Sequence, residues 1–219
     1  MSDQPSFKNK QEQEVIAHDT EREHPKRGGS AIAELFEFIW ETAKVVIIAL
    51  VIILPIRYYL VQPFFVKGQS MFPTFHDKEY ILVDKWTYRT SKPQRGEVVV
   101  FRAPTNPNDF FIKRIVGLPG ERVVVESDSI RIYNAEFPNG FTLDEATYLP
   151  DSYFTAGMID RTLEAEEYFL FGDNREHSSD SRAFGPVTKD AFAGAAWLRL
   201  WPLDRIGFIE DTVYPPVFE

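Results

Sequence analysis

Residues 98–125 read VVVFRAPTNPNDFFIKRIVGLPGERVVV, and three short runs in that stretch decide the fold. Val98-Val99-Val100-Phe101, Phe111-Ile112 and Arg122-Val123-Val124-Val125 are rich in β-branched and aromatic residues, which fit a pleated surface better than a helix. Pro104-Thr105-Asn106-Pro107-Asn108 and Pro119-Gly120 punctuate them with turn residues. The pattern continues on both sides. Tyr80-Ile81-Leu82-Val83 precedes it, and Ile130-Arg131-Ile132-Tyr133 and Tyr168-Phe169-Leu170-Phe171 follow. Pro93-Gln94-Arg95-Gly96 and Pro138-Asn139-Gly140 supply further turns. No helix alternates with these strands, so the pattern predicts a mostly β, antiparallel β-barrel or sandwich domain over 63–219. Residues 126–167 are expected to hold a variable insertion, since 141–165 is polar and irregular. A helical turn is expected near Lys189 to Ala196.

Upstream the chain changes character. Val45 to Ile56 is wholly apolar between Lys44 and Arg57. Twelve residues are too few for a hydrocarbon core of about 30 Å, which needs about 20, but the flanks extend the run. Phe38, Ile39 and Trp40 add to one side, and Tyr58 to Val61 add to the other with aromatics suited to an interface. Lys44 and Arg57 have stems long enough to snorkel toward opposite surfaces. Glu34, Glu37 and Glu41 fall on one helical face. Residues 31–62 are therefore predicted to form an amphipathic lead-in and a single transmembrane helix. Residues 1–30 mix charges of both signs with few apolar groups and end in Gly28-Gly29-Ser30; they are predicted to be a disordered polar tail. The apolar run lies too far from Met1 for a cleavable signal peptide.

Composition removes several chemistries. Net charge is −9, which disfavours a general nucleic-acid binder. No cysteine is present, so thiolate metal sites, cysteine nucleophiles and disulfides are excluded. Of four histidines, His18 and His24 fall in the tail and only His76 and His177 in the domain, without a metal-binding spacing. No metal site or cofactor is expected. Gly68, Gly96 and Gly117 are isolated and make no phosphate loop. G-x-S-x-G and S-x-x-K are both absent.

Three segments then stand out. Gly68-Gln69-Ser70-Met71-Phe72-Pro73-Thr74 places a serine on a tight turn directly after the apolar span. In Phe111-Ile112-Lys113-Arg114-Ile115, period-2 alternation puts Lys113 on one face with Phe111 and Ile115. A lysine on an apolar face loses hydration, its pKa falls, and the neutral amine can deprotonate a serine hydroxyl. Gly172-Asp173-Asn174-Arg175-Glu176-His177-Ser178-Ser179-Asp180-Ser181-Arg182 crowds hydrogen-bonding groups behind an apolar strand, as a rigid buried network would.

In this order, after an apolar span, GQSMFPT, RGEVVVFRAP, FIKRIVGLPGER and FGDNREHSSDSRAFGPV resemble the bacterial type I signal peptidases from about residue 40 to 210. The resemblance implies a membrane-anchored endopeptidase that removes signal peptides from secretory preproteins after Ala-X-Ala. Ser70 matches the nucleophile and Lys113 the general base. Ser178 matches a serine that orients the lysine. Asp180 and Arg182 match a supporting ion pair, with Arg114 nearby. The Ser70 N–H is expected in the oxyanion hole, and the position of a second, hydroxyl donor is Gly68 here. Val66, Met71, Phe111 and Ile112 match the walls of small apolar subsites. The implied partners are signal peptides of preproteins, membrane lipid and the export machinery, with no nucleic acid. The implied location is the cytoplasmic (inner) membrane, single-pass, tail in the cytoplasm and catalytic domain outside. Self-cleaving repressors share a Ser/Lys dyad, but they are soluble and carry a helix-turn-helix pattern that is missing here.

Overall fold

The computed structural model describes residues 31–126, 128–150, 153–214 and 216–217. The predicted tail, 1–30, lies outside the described residues. Helix α1 (Ala31–Pro55) bears the apolar run, and no residue of it is buried. Pro55 has no N–H to donate, and the chain passes into a wider, π-helical turn over Ile56–Leu60. The 30 residues of Ala31–Leu60 span about 45 Å at helical rise. Among the described residues this is the one helix long and apolar enough to cross a bilayer.

From Val51 onward the chain is a separate compact unit, built from antiparallel pairs. In chain order the strands are β1 (Val61–Phe65), β2 (Tyr80–Asp84), β3 (Val98–Ala103), β4 (Asn106–Gly117), β5 (Arg122–Glu126), β6 (Ser129–Tyr133) and β7 (Phe141–Leu143). They continue as β8 (Ile159–Thr162), β9 (Glu167–Phe171), β10 (Val187–Thr188), β11 (Phe192–Trp201), β12 (Gly207–Phe208) and β13 (Pro216–Val217). One sheet runs β1-β2-β11-β3-β4-β9-β10, with β12 beside β11; the other runs β13-β7-β6-β5-β8. One expectation is corrected here. Beyond a short turn at Lys189–Ala191, the segment expected to be helical is the long strand β11. The irregular segment 141–165 contributes β7 and β8 to the second sheet.

Both faces of the central strands are covered. In β3, Val98 and Val100 enter one cluster with Val66, Met71, Phe75, Ile81 and Val83, while Val99 and Phe101 enter another with Ile115 and Leu170. That explains the unbroken apolar run of VVVF. In β9, Tyr168 and Leu170 face the latter cluster, and Phe169 and Phe171 face a third, formed with the second sheet. β9 therefore joins the two sheets, and the GDNR segment starts where it ends.

Among the described residues, the edges of β1 and of the first half of β4 stay open. β1 pairs only with β2, and residues 110–113 of β4 pair only with β3, because β9 pairs with β4 from Arg114 onward.

Candidate active site

Ser70 lies five residues beyond β1, in a turn fixed from several directions. Val66 N–H donates to Glu79 O, and Lys78 N–H to Val66 O, both at 2.9 Å. Phe75 N–H donates to Met71 O at 2.8 Å. Met71 and Phe75 are buried below the turn. The Ser70 carbonyl accepts from Asn174 N–H at 3.0 Å, tying the turn to the segment after β9.

Lys113 comes from β4. Phe111 and Ile115 both pack into the cluster on its face, as the alternation requires, and its Nζ stands 5.6 Å from the Phe111 ring. Only 3% of the lysine is exposed. Its Nζ lies 2.8 Å from Ser70 Oγ and donates to the Ile112 carbonyl at 2.8 Å. Burial lowers its pKa from lysine's ordinary 10.5 to about 8; Asp180 and Asp173 act the other way. At pH 7, one unit below that value, roughly a tenth of the amine is unprotonated and can accept the Ser70 proton. Two residues 43 apart in sequence thus form a hydroxyl–amine pair with a poised base.

The GDNR segment is braced by two separate ion pairs. Asp180 receives Arg182 in a fork, Nε to Oδ1 and Nη2 to Oδ2, each at 2.8 Å, and accepts from Gly172 N–H at 3.0 Å. It also caps the short helix α3 (Ser181–Phe184), α2 being Thr87–Thr90. Arg114 pairs instead with Asp173, Nε to Oδ1 at 2.9 Å and Nη2 to Oδ2 at 2.7 Å. Both are almost fully buried. Asp173 also accepts from Thr74 Oγ1 at 2.5 Å, so this pair holds the serine turn from below. Arg175 and Glu145 make a further buried pair that links the segment to the region after β7.

The remaining expected residues divide. Val66, Phe111 and Ile112 line a recess of about 220 Å³ that also contains Ser70 and Lys113, between the open edges of β1 and β4. Met71 does not line it: with 1% exposure it packs under the turn with Val66 and Phe75. Among the described residues Ser178 Oγ is buried without a hydrogen-bond partner, and Lys113 bonds Ser70 and Ile112 rather than Ser178. Gly68 adopts φ +85, and its N–H is engaged by Asp77 Oδ1 at 2.8 Å. Asp173 was missed as a support because its segment offers two aspartates and two arginines, and sequence does not pair them.

Recess size does not locate this chemistry. A larger recess of about 700 Å³ surrounds Glu97 and Asp211 and contains neither Ser70 nor Lys113. Burial raises both carboxyls there, and Glu97 accepts from Tyr88 Oη at 2.7 Å. Among the described residues no cluster of metal-ligating side chains occurs.

Gly172 is the tightest point of the site. A Cβ there would run into Ser178 Oγ and the Ser70 carbonyl. Gly172→Ala is therefore expected to lower kcat by about 100-fold, because a shift near 1 Å in the reacting atoms has that effect. Measuring kcat together with the circular dichroism of the variant separates misplacement from unfolding. Retention of more than half of the activity would contradict the crowding.

The model of the family described as "Signal peptidase, peptidase S26" matches residues 39–201. A probable signal peptidase I-2 from Synechocystis is 33% identical over 177 residues, covering 78% of this chain and 77% of that protein. A signal peptidase IB from Staphylococcus aureus is 32% identical over 186 residues, covering 80% and 94%. A crystal structure of a signal peptidase I from Enterococcus faecalis is 30% identical, covering 48% of this chain and 97% of that one, with a TM-score of 0.40.

Proposed function

The chain belongs to the signal peptidase family, peptidase S26, and within it we propose that Ser70 and Lys113 are the nucleophile and general base of a membrane-anchored signal peptidase cleaving after Ala-X-Ala. The observation that carries the reading is the 2.8 Å approach of a buried lysine to a turn serine. The neutral amine takes the Ser70 proton as Oγ attacks the scissile carbonyl carbon. The C–N bond then breaks, and the lysine's proton goes to the departing amine, leaving an ester on Ser70. Lys113 next deprotonates a water, which attacks the ester, and the proton returns to Ser70 as the signal peptide's new carboxylate leaves.

The Ser70 N–H supplies the oxyanion donor, and because the Gly68 N–H is held by Asp77, the second donor is water or another backbone N–H. Ser178 Oγ, buried and unpartnered, is an acceptor for the ammonium formed during the reaction. The substrate binds extended between the open edges of β1 and β4, adding a strand. A recess of about 220 Å³ favours small side chains before the cut. Val66, Phe111 and Ile112 exclude large ones by shape. The helix Ala31–Leu60 anchors the chain in the cytoplasmic membrane, with the tail inside and the β domain outside, where preproteins emerge from the export machinery. Residues 63–219 form the catalytic domain, and 126–167 are its variable insertion.

The test is cleavage of a presecretory substrate by the full chain in detergent. Cleavage after the second Ala is expected, with loss of at least 1,000-fold in Ser70→Ala. A bulky residue replacing either Ala should lower kcat/KM by about 100-fold or more. Cleavage that survives Ser70→Ala would identify another nucleophile.

A further inference from the structure

Two recesses adjoin at Gln62 and Lys85, away from Ser70. One, of about 790 Å³, is walled by Leu54, Pro55, Tyr58, Tyr59 and Pro63 and carries Arg57. The other, of about 530 Å³, gathers Lys85, Arg89, Arg102 and Lys189, with Asp190 as the single carboxylate in its lining. Among the described residues none of these five cations makes an ion pair. Neighbouring Asp84 is engaged by Trp86 N–H, Thr87 N–H and Thr87 Oγ1. In a chain of net charge −9, five cations against two carboxylates, Asp84 and Asp190, form a local inversion of charge. Their mutual repulsion stabilises nothing in the fold, but it suits an anion.

The level of this cluster is fixed by hydrogen bonds. Lys85 N–H donates to Leu60 O at 2.9 Å, and Lys85 Nζ donates to Tyr58 O at 3.2 Å. The basic recess therefore begins at the last turn of the apolar helix, where Tyr58 and Tyr59 supply interfacial aromatics. Trp86 stands beside it, half-exposed, with Arg89 5.9 Å from its ring.

We infer that the paired recesses bind one anionic phospholipid of the surrounding membrane, its phosphate among Lys85, Arg89 and Arg102 and its glycerol and upper acyl chain against Leu54 and Tyr58. The apolar recess next to the basic one favours a lipid, since a free phosphate has nothing to place there. The inference rests on the anchor reading of Ala31–Leu60. Arg89 and Arg102 are exposed and lie outside the Ser70 recess, so their loss should leave basal cleavage in neutral detergent unchanged.

The test is native mass spectrometry of the full chain in detergent with equal amounts of phosphatidylglycerol and phosphatidylcholine. The wild type should retain phosphatidylglycerol at least about fivefold over phosphatidylcholine. R89Q/R102Q should fall to near parity. R122Q/R161Q, which removes two arginines from β5 and β8, should keep the preference. Equal retention by the wild type, or an unchanged preference in R89Q/R102Q, would overturn the site. Displacement of the lipid by inorganic phosphate at moderate concentration would overturn its assignment to lipid. Alkaline carbonate extraction of membranes separates the two readings. A chain released by carbonate refutes the anchor, and a chain that resists it without lipid preference refutes only the headgroup site.

Discussion

Lys113→Met is expected to abolish turnover and, below about pH 8, to raise the stability of the β domain. The two effects have one cause. The lysine is held in a nearly dry site, and burial lowers its pKa from 10.5 to about 8. Between those values the unfolded chain binds a proton that the folded chain has released. Stability therefore rises with pH from about 8 to about 10.5, and below 8 the full cost of burying the ammonium is present. That cost is roughly 3 kcal/mol. Methionine fills similar volume without a charge, at the loss of the bonds to Ser70 and Ile112, each about 1 kcal/mol. A net gain of about 1 kcal/mol at pH 6 follows, or roughly 2–4 °C in Tm. Denaturant melts of both proteins across pH 6 to 10 check it: the wild type should gain stability above pH 8, and the variant should show no such rise. A rise of equal size in the variant would assign the titration to another group. The wild-type rate should climb as pH passes through about 8, since only the neutral amine accepts the serine proton.

The same features decide how much could be read in advance. β-branched or aromatic runs mark β2, β3, β5, β6 and β9 because these strands are half-buried or buried, and burial on a pleated sheet selects such residues. Lys113 was legible for a physical reason too, since alternation alone places it with Phe111 and Ile115. β11 was not legible. Its first half holds Ala193-Gly194-Ala195-Ala196, with Gly194 packed against the Asp84 carbonyl, where a Cβ would clash; such small residues carry no strand signature. β7 and β8, with three and four residues, are too short for periodicity to register. Met71 resembles a groove residue in sequence, and only packing shows it turned inward. The cations of the two recesses escape sequence reading because they come from the π turn, the residue after β2, α2, β3 and the turn before β11.

Asp173→Leu is expected to destabilise the domain by about 3–5 kcal/mol, because it leaves a buried guanidinium without its counter-charge. Arg114 cannot escape by losing its proton: the neighbouring Asp173 carboxylate holds its pKa above the ordinary arginine value even against burial. Nor can it turn to water, with 1% exposure, bonds to Gly96 O and Thr212 Oγ1 at 2.8 Å, and the Tyr148 ring 4.2 Å away. Thr74 loses its acceptor in the same step, and Thr74 closes the turn that carries Ser70. kcat should therefore fall by about 100-fold even where the variant remains folded. R114M/D173L distinguishes charge from packing. With both charges gone the desolvation cost disappears, so most of the lost stability should return. Activity should not return with it, since Thr74 still lacks the carboxylate. If the double variant were as unstable as Asp173→Leu alone, the pair would act through shape. If it regained full activity, the Thr74–Asp173 bond would have no part in holding the serine. The expected split, stability recovered and turnover still low, is the signature of an ion pair whose carboxylate also positions the turn that carries Ser70.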